Sequence, residues 1–282
     1  MPDQPPLETL SAFERTVFRL ARRMNHGRSQ RFWFWFQRQV GARWIAALTG
    51  PITAVDGLEH VRATSRGRPL LLVANHRSLF DFYVVMSVLF THVPGWRAIN
   101  FPVRGRYFYQ RVGGVVLNCL AAFWSMYPPF FHNSRSRRFD QWALTQLAWL
   151  CRERPGQLVG FHPEGTRNRD RDPYSFLPAQ PGIGRLLVEA RPEVVPVFIA
   201  GLGNNAREIL RRRSSAGEPI RIRFGPPLDY QTFLERRPSA GLYRELAEFV
   251  MGEIRRLGEE DRKLRATTDD RWAASGSPER HP

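Results

Sequence analysis

The chain is poor in several groups whose absence is informative. Only two cysteines occur among 282 residues, Cys119 and Cys151, and neither belongs to a C-x-x-C pair. That excludes a disulfide framework and a thiolate zinc site, and it fits a reducing, cytosol-facing compartment. Lysine is nearly missing: Lys263 is the only one, so the formal net charge of +16 is carried by arginine. Such an excess points to a polyanionic partner, whether acidic lipid headgroups, phosphorylated substrates or nucleic acid, or else to a coding bias. The arginines are dispersed rather than lined along one helix with base-stacking aromatics, and no nucleic-acid motif occurs, so nucleic acid is not the expected partner. Met1 to Pro6 has no basic segment leading into an apolar core, which argues against a secretory signal. The longest stretch without formal charge, Val112 to Ser134, has about the length needed to cross a bilayer. Gly113-Gly114, Asn118 and Pro128-Pro129 interrupt it. A buried or interfacial helix ending in a short strand near Pro129-Phe130-Phe131 is expected instead.

Pro69 to Ala74 is a short apolar run bounded by turn formers, the pattern of a buried strand. It runs directly into Asn75-His76-Arg77-Ser78-Leu79-Phe80-Asp81. A polar cluster at the end of a buried strand is where α/β proteins place their chemistry. Within one helix, His76 and Asp81 would point about 140° apart. His76 therefore precedes the helix that runs to Phe90, and Asp81 lies in its first turn. There the carboxylate stays ionised near the positive helix end and orients the imidazole as a base. The competing reading makes Asp81 a helix cap and His76 a loop residue.

Gln157 to Phe161 reads as a second strand, delivering His162-Pro163-Glu164-Gly165-Thr166-Arg167. Val194 to Ala200 is an apolar β-branched strand, buried on both faces, that contains Val195-Pro196-Val197. In this order the three stretches resemble the glycerolipid acyltransferase family typified by lysophosphatidic acid acyltransferases. That family is marked by N-H-x-S-x-x-D, (F/V)-P-E-G-T-R and V-P-(V/I). The resemblance covers about Val55 to Pro226. It implies an O-acyltransferase in which His76 is the general base and Asp81 stabilises the imidazolium. Glu164, Gly165, Thr166 and Arg167 would form the acceptor site, with Arg167 as a phosphate fork. Glu164 would orient Arg167 or accept from acceptor hydroxyls, and the Pro/Gly turn would offer N-H groups to an anion. The third strand would wall the acyl pocket. His162 is an extra titratable group without an assigned role.

The family also carries G-x-x-F-x-x-R, whose arginine helps hold the acceptor phosphate. Gly105 to Arg111 matches the letters but lies far ahead of Pro163. Arg135 has the usual spacing without the glycine and phenylalanine, and spacing favours Arg135. The substrates implied are an acyl donor, acyl-CoA or acyl-carrier protein, and a lysophospholipid such as 1-acylglycerol 3-phosphate, with neither metal nor bound cofactor. Two alternatives remain: a phosphate-free acceptor such as a lyso-ornithine lipid or glycolipid, and a non-enzymatic basic binder of membranes or nucleic acid.

The expected architecture is α/β, a mostly parallel central sheet flanked by helices, behind an N-terminal amphipathic, interfacial helical region. Residues 1–50 form that region, with a basic amphipathic helix over Leu7 to Arg23 and an aromatic, arginine-rich one over Arg31 to Leu48. Trp beside Arg is the composition of a helix lying in the bilayer interface; the alternative is a helix packed on its own domain. Residues 51–257 form the acyltransferase domain. Within it, strands are expected over Ile52 to Val61 and Arg97 to Phe101, and at Ile220 to Phe224 as an edge strand. Helices are expected over Arg138 to Arg154, Arg185 to Ala190, Ala206 to Arg213 and Leu242 to Leu257. Residues 258–282 read as a disordered charged tail. Membrane phospholipids are the expected partner, and the expected location is the cytoplasmic membrane, peripheral or monotopic, with the active site facing the cytosol.

Overall fold

The computed structural model describes residues 4–64, 68–120, 122–203, 209, 211 and 218–274, with side chains through Ala266. Its strands are β1 (Thr53–Asp56), β2 (Leu70–Ala74), β3 (Ala98–Arg104), β4 (Met126–Phe130), β5 (Gln157–Phe161), β6 (Glu193–Ala200) and β7 (Ile220–Phe224). They form one seven-stranded sheet in the order β1-β7-β6-β2-β5-β3-β4. From β6 to β4 the strands run parallel, whereas β7 is antiparallel to β6 and parallel to β1. The three motif-bearing strands are neighbours: Leu72 pairs with Gly160 on one side and Val195 on the other. All five residues of β2 are buried, as in parallel strands covered on both faces. The mostly parallel α/β sheet expected from the sequence is the one observed.

The helices flank this sheet. Near the N-terminus lie α1 (Ala12–Met24), α2 (Gly27–Phe36) and α3 (Ala42–Thr49), and α4 (Leu58–Ala63) follows β1. Next come α5 (Asp81–His92), α6 (Gly105–Phe108), α7 (Val112–Leu120), α8 (Arg137–Glu153) and α9 (Gly182–Ala190), then α10 (Gln231–Leu234) and α11 (Ala240–Ala274). Helix α1 opens with a reciprocal cap, Ser11 Oγ accepting from Glu14 N while Glu14 accepts from Ser11 N. Its Phe18 meets Phe139 and Trp142 edge-on, with centroids 5.0 and 5.4 Å away. Burial of such a ring makes Phe18→Ala worth about 3–5 kcal/mol. The aromatic helix divides its rings. Trp33, Phe34 and Phe36 pack on Trp124, Phe90 and Phe123, whereas Phe32 and Trp35 face outward. A π-turn over Gln37–Gly41 joins α2 to α3. There Gln37 Nε2 donates to Phe123 O, and a Cβ at Gly41 would stand 2.4 Å from the Phe123 ring.

Several local expectations are corrected. The strand expected through Val61 stops at Asp56 because Gly57 takes a left-handed φ of 74°, after which α4 begins. Strand β7 shows the expected alternation but is not an edge, since β1 pairs along it from Thr53↔Ile220 to Asp56↔Arg223. The last helix does not end at Leu257 but continues to Ala274. The buried Asp261 ties its extension to the sheet, bonding Arg221 of β7 at 2.9 Å and the Tyr174 hydroxyl at 2.9 Å. Of the helix expected over 206–213 only Ile209 and Arg211 are described, both helical, and the end of the tail lies outside the described residues.

Candidate active site

The first motif sits at the C-terminal end of β2, and most of its letters have structural work. The Asn75 amide bonds Ile199 twice, Nδ2 donating to its carbonyl and Oδ1 accepting from its N-H, both at 2.8 Å. Ser78 Oγ donates to Gly203 O and accepts from Phe80 N. Asp81 is the first residue of α5 and is fully buried. Its Oδ2 accepts from Arg77 N at 2.8 Å, Ser78 N at 2.9 Å and the Nδ1 of His76 at 3.0 Å. An ionised carboxylate only accepts, so the His76 proton is assigned to Nδ1, and Nε2 keeps its lone pair. Burial, with Arg167 and Arg104 adding to it, pushes the His76 pKa down to about 3. Burial also pushes Asp81 up to about 6, against the opposing pull of His162 and the backbone N-H groups. A neutral imidazole beside an ionised carboxylate is the state at neutral pH.

The second motif, after β5, locks onto the first. Glu164 is 2 % exposed and does not line the cavity beside His76. Its Oε1 accepts from His76 N at 2.7 Å and its Oε2 from Leu177 N at 2.8 Å. Glu164 is thereby a strap between two loops, a role that the sequence did not name. Asn168 N returns the tie by donating to His76 O at 2.8 Å. Gly165 adopts φ 64°, and its N-H donates to His162 O at 3.0 Å, so it is not held out to an anion as expected. The His162 ring lies on that of His76, centroids 3.9 Å apart and planes 8° from parallel. His76, Asp81 and His162 bring potential metal-ligand atoms within 4.8 Å of one another. With the ring planes so nearly parallel, a cation in the plane of one imidazole lies outside that of the other.

A cavity of about 730 Å³ opens beside His76. Phe101, Val103, Phe108, Met126, Phe130 and Leu144, from β3, β4, α6 and α8, give it an apolar wall. Gly165, Thr166 and Arg167 line the polar side together with Arg104 and Arg137. Arg104 Nε donates to Gly165 O at 3.2 Å, placing that guanidinium against the second motif.

Residues 53–200, more than half of the chain, match the Acyltransferase family. The chain belongs to that family. Its fold is similar to that of the crystal structure of the 1-acyl-sn-glycerophosphate (LPA) acyltransferase PlsC from Thermotoga maritima, with a TM-score of 0.50 and 18 % identity over 86 % of this chain and 87 % of that one. No curated protein sequence matches the chain.

Around the cavity, two sequence expectations change. Arg135 does not reach the His76 cavity; it lines a separate recess with Thr9, Ser11, Glu14 and Gln110, on the side of α1. The chain turns between Phe131 and Ser136, and the next arginine, Arg137 at the start of α8, points into the cavity instead. Arg111 does not line the cavity either. Arg104 and Arg137 belong to none of the sequence motifs, yet both line the cavity. A usable signal for Arg104 was its place at the C-terminal end of a parallel strand, the edge at which the other motifs sit. Nor does β6, expected to wall an acyl pocket, line the cavity: its apolar residues are buried between β2 and β7, and β3, β4 and α8 form the apolar wall instead.

Proposed function

We propose that this acyltransferase is a membrane-associated O-acyltransferase that moves a fatty acyl group from acyl-CoA or acyl-carrier protein to the hydroxyl of a lysophospholipid such as 1-acylglycerol 3-phosphate. The observation that carries this reading is the sharing of one cavity by His76, the Arg104 and Arg167 side chains and a long apolar wall. His76 Nε2 removes the acceptor's hydroxyl proton as the oxygen attacks the thioester carbonyl, and Asp81 stabilises the imidazolium. Collapse of the tetrahedral adduct expels the thiolate, which takes the proton back from His76, so no covalent enzyme intermediate forms. The guanidinium pair anchors the acceptor phosphate, and fixing the hydroxyl beside Nε2 contributes several kcal/mol. A phosphate-free acceptor drew its support from the segment before Arg135, which lacks the family's glycine and phenylalanine; Arg104 places in the cavity the charge that Arg135 does not bring there.

Membrane association is supported by outward-facing rings and alkyl groups. Phe32 is 55 % exposed, Trp35 56 % and Trp44 45 %, and on α7 Val112 is 68 % and Leu120 66 % exposed. Tyr107, just ahead of α7, also lines the His76 cavity, so an apolar surface flanks its mouth. Among the described residues no helix is long and apolar enough to cross a membrane. The helices then lie along the inner face of the cytoplasmic membrane, with aromatic side chains at headgroup depth and arginines on anionic lipid.

The test is an assay of the purified protein with labelled acyl-CoA and acyl-carrier protein, each offered 1-acylglycerol 3-phosphate and a matched phosphate-free lysolipid. Diacyl product from the phosphate-bearing acceptor, lost in His76→Ala, is the expected result. Transfer only to the phosphate-free acceptor would replace the acceptor assignment.

A further inference from the structure

His162 has no part in the transfer derived above, and it stands where the family's motif carries Phe or Val. Its plane is fixed from two directions. Nδ1 bonds the Ala74 carbonyl at 2.9 Å, and Phe82 packs against the ring with centroids 4.4 Å apart. Phe82 is itself 3 % exposed and seated on Gly160, where a Cβ would stand 2.7 Å from the ring. A column thus runs from Gly160 of β5 through Phe82 and His162 to His76. The hydrogen bond to Asp81 holds one edge of the His76 imidazole but leaves the ring free to swing about that bond. A flat ring at 3.9 Å removes this freedom.

Resting on the reading of His76 as the base, we propose that His162 is a positioning residue: it holds the plane of the His76 ring so that Nε2 stays aimed into the cavity, and its π-face stabilises the imidazolium formed during transfer. Aromatic faces attract cations in this way, most strongly where water is excluded. Asp81 controls the edge of the base and its tautomer, and His162 controls its face.

Three variants separate the parts of this role. His162→Phe keeps a flat ring, His162→Asn keeps a donor for the Ala74 carbonyl without a ring, and His162→Ala keeps neither. For each, kcat, both KM values, the melting transition and the NMR resonance of the His76 Nδ1-H proton are measured. The Asn and Ala variants are expected to lower kcat about tenfold with KM values within about twofold, as displacement of a catalytic group does. They should also broaden the Nδ1-H resonance, and Phe should restore both readouts. Wild-type kcat and an unchanged resonance in His162→Asn would overturn the proposal, as would a Phe variant as impaired as Ala. Loss of folding in all three marks a packing residue and has the same consequence. His76→Ala, assayed alongside, isolates the base reading: full activity there removes that reading, while the resonance still tests the stack.

Discussion

Glu164 Oε1 accepts a hydrogen bond from the backbone N-H of His76 at 2.7 Å, so the carboxylate of the second motif holds the loop that carries the imidazole of the first. The acid of the Glu-Gly-Thr-Arg block is thereby part of the scaffold. Its two oxygens meet two backbone donors, and an amide in its place would turn one donor towards another. Glu164→Gln should cost about 1–3 kcal/mol, the penalty of an unmet buried donor, and lower Tm. Turnover should fall to the same extent for phosphate-bearing and phosphate-free acceptors. A selective loss with the phosphate-bearing acceptor would show that Glu164 acts on the substrate after all.

Removal of the proposed base should have a different signature. His76→Ala should reduce kcat about 10²-fold or more with little change in substrate affinity. Asp81→Asn should also lower kcat, since a neutral amide stabilises the imidazolium poorly and allows the other tautomer. Single-turnover kinetics with saturating donor checks both.

The arginines divide by position. Arg104→Ala and Arg167→Ala should each raise the KM for a phosphate-bearing acceptor about tenfold or more, the worth of a charged hydrogen bond, and leave a phosphate-free acceptor less affected. Arg135→Ala, facing the recess beside α1, should leave both unchanged. Equal impairment of both acceptors by Arg167→Ala would assign that residue to the donor or to the loop.

Acid should act on rate and on stability through different groups. Under the proposed mechanism turnover requires ionised Asp81, whose pKa burial raises to about 6, so activity should be full above that value and be lost as pH falls through it. His76, pushed down to about 3, stays neutral over the same range and does not set this limb. Stability follows proton uptake. Unfolded His76 and His162 take protons below their ordinary 6.5, which the folded state refuses until about 3, so both destabilise the fold as pH drops across that interval. Asp81 opposes them, since its folded pKa lies above the ordinary 3.8 and protonation below about 6 favours the fold. Two sites outweigh one, and the net effect is loss of stability in acid. His162→Phe should flatten the fall, as read from urea midpoints across the pH series.

Membrane binding should depend on the outward rings. Trp35→Ser with Trp44→Ser should weaken sedimentation with anionic vesicles, and high salt should weaken it further. The inward Trp33 and Phe36 are unsuitable targets, since they pack on Trp124 and Phe123. Unchanged sedimentation of the double variant would move the docking surface to α7.

What the sequence by itself determined was local. The bounds of β2 and β5 and the placing of His76 before a helix and Asp81 in its first turn follow from apolar runs, turn formers and helical geometry over a few residues, while the parallel neighbourhood of the three motif strands is an expectation from the rules of α/β layering and connection. Tertiary structure decided what depends on distant pairing. Glu164 meets His76 across 88 positions in the chain, a partner no local pattern names. Arg104 rather than Arg135 reaches the cavity because β3 lies beside β5 while the turn after β4 aims Arg135 at α1. Strand β7 is interior because a segment from the far N-terminal side covers it, and α11 outlasts Leu257 because Asp261 finds Arg221. The aromatic helix α2 reads as uniformly ring-rich, and only packing against Phe90, Phe123 and Trp124 decides which rings become core and which are left outside.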